Sequence, residues 1–275
     1  MTNAKELTDY NSMVAYLIFV ISLFLTTTQV VLGSADHEEQ LHYDGPEGPQ
    51  TWGGLCNTGK SQSPIDIVRR DAAAHQFPGL CKLHVEYNSD TQATVTHSGS
   101  HLQLTVEGDA PFGKLYLRDI YNLSGFHFHS PSEHEIDSMS YDLELHLVHK
   151  TVTQNGPQLA VIGLLYNEGP DDSSTDHFLQ QVFDALPYIK KPDSSVHTLK
   201  PVDFSSLLPV LDGPYARYSG SLTTPPCTEN VTWTVILNQN LKMSPRQFQA
   251  YKAVLKKPNN RPLQDLAGRT VMYSQ

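Results

Sequence analysis

Basic residues are scarce in this chain. Nineteen lysines and arginines stand against 29 acids, for a formal charge of −10 at neutral pH, and none cluster beyond a pair. That balance argues against a nucleic-acid partner, because phosphate binding needs a basic surface. Cysteine is scarce too: Cys56, Cys81 and Cys227 are an odd number, so one is left over and the pairing stays open. No internal repeat, low-complexity tract or linker-like run divides residues 36–275, and no acidic run suggests a mineral-binding surface. Long apolar runs are missing as well. The one between Met13 and Leu25 is too short to span a bilayer comfortably. The final residues lack the hydrophobic tail of a lipid-anchor signal.

What is present starts with that short apolar run. It is followed by Gly33-Ser34-Ala35, a small-residue site, and the stretch reads as a secretory signal peptide over residues 1–35. Cleavage removes one lysine and two acids and leaves a mature charge of −9. Secretion permits a disulfide, and Asn122-Leu123-Ser124 and Asn230-Val231-Thr232 become glycosylation acceptors if exposed. No membrane anchor is expected after cleavage, and a monomer is expected.

Residues 36–275 read as one domain. Alternating or apolar segments recur between turn signals, at 83–87, 102–106, 115–117, 159–166 and 231–237. Those are strand patterns. Helical periodicity is confined to Asp176–Ala185 and Pro245–Leu255, the latter with Ser244 as N-cap and Pro245 as first helical residue. The fold class is therefore mainly β with peripheral helices, a single domain on a large, mostly antiparallel twisted sheet.

Two alternating stretches carry the chemistry. In Gly125-Phe126-His127-Phe128-His129 the two histidines share one strand face, with the phenylalanines behind. In Leu143-Glu144-Leu145-His146-Leu147, His146 completes a trigonal set if the strands pair, and Glu144 shares its face. Three neutral imidazoles with an open fourth position are the ligands of a catalytic Zn2+ that activates water. Glu144 is placed to hold the other nitrogen of His146. A lone His-x-His is more often structural, whereas a Glu-x-His on a second strand downstream tips the reading to metal.

Longer motifs run in the same order: Gln62-Ser63-Pro64-Ile65-Asp66-Ile67, Phe126-His127-Phe128-His129, Ser132-Glu133-His134, Glu144-Leu145-His146-Leu147-Val148-His149, Gly220-Ser221-Leu222-Thr223-Thr224-Pro225-Pro226 and Asn260-Arg261-Pro262. Across residues 40–265 the chain resembles the α-class carbonic anhydrases of the secreted type. The resemblance implies that family's fold and its reaction, the reversible hydration of carbon dioxide to bicarbonate and a proton at zinc. It implies His127, His129 and His146 as ligands, and Glu144, His134 and Tyr218 as their support. Thr223 resembles the threonine that accepts a hydrogen bond from the reactive water and donates to Glu133. Its backbone N–H and Thr224 resemble the contacts to substrate oxygen. Leu222, Val148, Val161, Val231 and Trp233 resemble the apolar wall for carbon dioxide, and Tyr43 a tyrosine on the proton path. Cys56 and Cys227 match the disulfide of secreted members, which leaves Cys81 free.

The chain departs from the pattern where fast members place a proton-shuttling histidine. Ser100 stands there, with His101 or His97 as possible substitutes, so slower, buffer-dependent proton transfer is expected. Carbonate supply for mineralisation, or extracellular pH and carbon handling, are the roles that fit. The alternative class is a catalytically weak, carbonic anhydrase-like matrix or binding protein.

Overall fold

The computed structural model describes residues 41–69, 82–90, 92–97, 102–106, 113–189 and 196–274. The expected signal peptide, Cys81, Ser100 and His101 lie outside the described residues. In chain order the strands are β1 (Asp66–Ile67), β2 (His84–Tyr87), β3 (Ala93–His97), β4 (Leu102–Val106), β5 (Gly113–Tyr116), β6 (Ile120–His129), β7 (Glu135–Ile136), β8 (Leu143–Thr153), β9 (Gly156–Glu168), β10 (Val196–Thr198), β11 (Tyr215–Ser221), β12 (Glu229–Ile236), β13 (Lys242–Met243) and β14 (Met272–Tyr273). The helices are α1 (Leu55–Thr58), α2 (His177–Phe183), α3 (Leu208–Leu211) and α4 (Pro245–Val254).

Period-two alternation decides which side chains face which layer. On β8, Leu143, Leu145 and Leu147 are buried in the main core, so Glu144, His146 and Val148 take the opposite face. On β6 the same core receives Tyr121 and Leu123 and then, past an irregularity between Leu123 and Gly125, Phe126 and Phe128. That irregularity switches the parity of the strand, so His127 and His129 leave it on the same side as Asn122 and Ser124.

The main sheet runs β10-β3-β4-β6-β8-β9-β12-β11-β14, with β5 on β6, β2 on β5 and β13 on β9. Most pairs are antiparallel, as expected. The pairs of β9 with β12 and with β13 are parallel, which makes the sheet mixed. Parallel neighbours need a long crossover, and the segment from Glu168 to Glu229 provides it.

Both expected helices form. Asp176 Oδ1 accepts from Leu179 N at 2.8 Å to start α2. Ser244 and Gln247 form a reciprocal capping box at α4. Their apolar faces, Phe178, Leu179, Val182, Phe183, Phe248, Tyr251 and Val254, cover the main core. Each such side chain contributes about 1.5–3 kcal/mol on burial. The single turns α1 and α3 are too short to leave a periodic signal. On the other face a second cluster gathers Ile65, Ile67, Ile136, Val161, Leu165, Tyr218, Val231, Trp233 and Val235. The histidines project into that layer.

Candidate metal centre

Register brings the rings together. β6 and β8 pair with His127 opposite His146 and His129 opposite Glu144. One ligand atom from each of His127, His129 and His146 lies within 4.8 Å of the others. His146 Nδ1 is 3.3 Å from His127 Nε2. The outer nitrogens fix which atoms face inward. His146 Nε2–H donates to Glu144 Oε1 at 2.8 Å, which turns Nδ1 to the centre. His129 Nδ1–H donates to the Asn259 carbonyl at 2.6 Å, which leaves Nε2 as its ligand atom.

Burial sets the charge of these rings. It pushes the His129 imidazole down to about 4, against the raising effect of the Asn259 carbonyl. It also lowers His146, despite the neighbouring Glu144. Converging imidazole nitrogens, with protein acceptors on the outer nitrogens of two of the rings, form a donor set that fits zinc.

His134, Glu144 and His146 also gather closely enough for a metal, but their atoms are engaged with one another. Glu144 Oε1 accepts from His134 Nδ1 at 2.7 Å as well as from His146, and Oε2 accepts from the backbone N–H of Glu133 and of His134, both at 2.8 Å. The Tyr218 hydroxyl lies 2.7 Å from His134 Nε2 and 2.7 Å from Ser63 Oγ, which extends the chain of bonds. Burial raises the Glu144 carboxyl, yet the electrostatic attraction of His134 and His146 and their hydrogen bonds outweigh it and hold it well below the usual carboxylate range. This is an anchoring network and not a second centre. Trp233 closes it from one side, its ring 4.7 Å from that of His134 and 4.8 Å from that of His146.

Thr223 is buried in the loop that follows β11. Bonds from Leu222 N to Thr228 O and from Cys227 N to Thr224 O close that loop, and the Cys56–Cys227 disulfide ties it to α1. Glu133 Oε1 accepts from Arg261 N at 2.8 Å, while the buried Oε2 has no hydrogen-bond partner among the described residues; the Thr223 side chain is near enough to lower this carboxyl. Burial pushes Glu133 up to about 7, against the lowering effects of His146, Thr223 and Arg261. Thr224 is half-buried beside it. Val161, Val231 and Trp233 are buried, and Val148 and Leu222 pack against them half-buried. The Tyr43 hydroxyl is buried near Glu133, and its ring meets Trp52 edge-on at 5.4 Å.

Residues 47–275 match the family model described as eukaryotic-type carbonic anhydrase. The chain belongs to that family. A carbonic anhydrase of Pectobacterium carotovorum is 34% identical over 87% of this chain and 94% of its own length. Dioscorin DB3L of Dioscorea polystachya is 35% identical over 86% of this chain and 87% of its own. Among solved structures, the α-carbonic anhydrase of Thermovibrio ammonificans with the inhibitor sulfanilamide has TM-score 0.71 and 34% identity, covering 84% of this chain and 97% of that one. A dioscorin complexed with ascorbate has TM-score 0.74 and 32% identity, covering 86% and 98%. The chain therefore has the α-carbonic anhydrase fold and is an enzyme of the carbonic anhydrase class, whose reaction is carbon dioxide hydration.

For a carbonic anhydrase, the proton's way out is where expectation and structure part. His97 does not face the centre. It pairs with Leu102, which pairs with Phe128, so it lies on the main-core face and is buried there. That is the face opposite His127 and His129.

Three supporting residues were given no role by the sequence, although Arg261 stands in the Asn260-Arg261-Pro262 motif. Asn259 holds His129 through its backbone carbonyl, which leaves no side-chain signal. Arg261 donates from its backbone N–H to Glu133, while its buried guanidinium donates to Gln62 Oε1, Ser63 O and Cys56 O. Gly163 did leave a trace, as a glycine inside an apolar strand run. A Cβ there would sit 3.0 Å from Glu144 Oε1.

Proposed function

We propose that this protein is a secreted zinc carbonic anhydrase handling carbon dioxide and bicarbonate outside the cell, with His127, His129 and His146 as the metal's ligands. The observation that carries the reading is the convergence of three imidazoles, two of which, His129 and His146, have their outer nitrogens already committed. Zinc bound there would supply a Lewis acid that lets a water ionise near pH 7, a value that belongs to carbonic anhydrases generally, and a positive charge that favours ionised Glu133.

The remaining chemistry belongs to the chain. The Thr223 hydroxyl donates to the Glu133 carboxylate, so its lone pairs can only accept from the reacting water. This selects a protonated nucleophile and aims its lone pair at carbon dioxide. The Thr223 backbone N–H and Thr224 meet the developing negative oxygen. Val148, Val161, Leu222, Val231 and Trp233 exclude water and suit a small apolar substrate. Glu144, His134 and Tyr218 fix the orientation of His146, and Tyr43 borders the path by which the proton leaves. The Cys56–Cys227 bond and the leader at residues 1–35 support an oxidising, extracellular setting. No helix among the described residues is long and apolar enough to cross a membrane.

The dioscorin relatives favour a second reading, a binding protein with weak catalysis. The retention of all three histidines, Thr223 and Glu133 supports the enzyme. Zinc content measured together with sulfonamide-sensitive carbon dioxide hydration separates the two. One zinc per chain with inhibitable hydration is expected, and a folded, zinc-loaded chain without turnover sinks the first reading.

A further inference from the structure

The two Asn-x-Ser/Thr tripeptides have no part in the chemistry above, and both asparagines are exposed. They differ in what the fold asks of them. Asn230 has φ 66°, in the left-handed region that asparagine tolerates better than most residues. Backbone geometry accounts for it. Asn122 lies inside β6, paired with Lys114 of β5 and Lys150 of β8. Asparagine is depleted in strands, and among the described residues the Asn122 carboxamide makes no hydrogen bond. Neither conformation nor bonding explains its presence.

Its surroundings supply a reason. Ile120, two residues before it on the same face, is 50% exposed, and Val152, two residues beyond its partner Lys150, is 81% exposed. Both lie within reach of a group carried on Asn122. Scattered apolar surface needs no cover, but here two of the most exposed apolar side chains flank an unbonded acceptor amide. We propose that Asn122 is an N-glycosylation site whose sugar covers Ile120 and Val152. The proposal rests on the reading that the chain is secreted. Asn122 shares the sheet face of His127 and is five residues from it, roughly 15 Å along a strand. The attachment point therefore stands on the face of the metal centre, five residues from its nearest ligand.

In the transfer, Asn122 Nδ2 forms the bond to the anomeric carbon of a lipid-diphosphate-linked oligosaccharide. The carbon–oxygen bond to the diphosphate breaks, the lipid diphosphate leaves with the electron pair, and the amide loses one proton. In the folded chain Ser124 Oγ donates to the Val148 carbonyl at 3.0 Å, so the tripeptide is available only before β6 pairs with β8.

The full chain, expressed in a eukaryotic secreting cell line, tests this by peptide-N-glycosidase treatment and peptide mass mapping. Enzyme-dependent conversion of Asn122 to aspartate is expected. The glycan is lost in Asn122→Gln and in Ser124→Ala and retained in Asn230→Gln, with carbon dioxide hydration unchanged in all three. If either of the first two variants fails to fold, the mass map of the unsubstituted chain still decides. A secreted chain with unmodified Asn122 overturns this proposal alone. A chain kept inside the cell with residues 1–35 intact overturns the secretion reading and this proposal with it.

Discussion

Glu144 Oε1 accepts from His146 Nε2 at 2.8 Å, and this single bond presents Nδ1 of that ring to the other histidines. A ligand held by its outer nitrogen is pre-oriented and more basic. Glu144→Ala should weaken zinc binding by about 10–100-fold, read by chelator competition, while zinc-free Glu144→Ala also loses the anchors of His134. Unchanged affinity would show that the orientation of His146 is fixed elsewhere.

Gly163 makes room for that carboxylate. With a Cβ placed 3.0 Å from Glu144 Oε1, Gly163→Ala should displace the carboxylate by a few tenths of an ångström. Zinc affinity is expected to fall several-fold, with a smaller effect on melting temperature. Isothermal titration with zinc, beside thermal unfolding of the zinc-free protein, checks the order of the two effects.

Thr223→Ala removes a hydroxyl that orients the nucleophile but holds no metal. Turnover should fall on the order of 10²-fold, with zinc content intact. A loss of zinc in parallel with activity would reassign Thr223 to the metal's support.

His149 provides a pH-dependent term away from the centre. Burial pushes its imidazole down to about 4, whereas in the unfolded chain it titrates near 6.5. Above that value both states are neutral and the fold keeps its full stability. Between about 6.5 and 4 the unfolded chain binds a proton that the folded chain refuses, so stability drops by about 3 kcal/mol. Denaturant unfolding across that window should show the loss, and His149→Gln should remove the share that His149 contributes, leaving that of the buried His129.

Since His97 lies on the core face, replacing it should leave proton transfer alone. Turnover is expected to rise with buffer concentration, and His97→Gln should show the same dependence. A high turnover independent of buffer would mean that the chain carries an internal shuttle.

Much of this protein was legible in its sequence. Phe126 and Phe128 behind His127 and His129, and the leucines flanking Glu144 and His146, fixed the two faces of each strand, because side chains alternate in a pleated backbone whatever surrounds them. Ser244 followed by Pro245 marked the start of α4 for an equally local reason. The motif around Thr223 carried the family. Tertiary structure alone decided the rest. Strand register set His127 opposite His146, a parity switch between Leu123 and Gly125 placed Asn122 on the metal's face, and ladder pairing through Leu102 turned His97 away from it. Asn259 and Arg261 reach the centre through backbone atoms from far along the chain. A main-chain carbonyl or N–H is the same group in every residue, so only the folded path of the chain reveals what it holds.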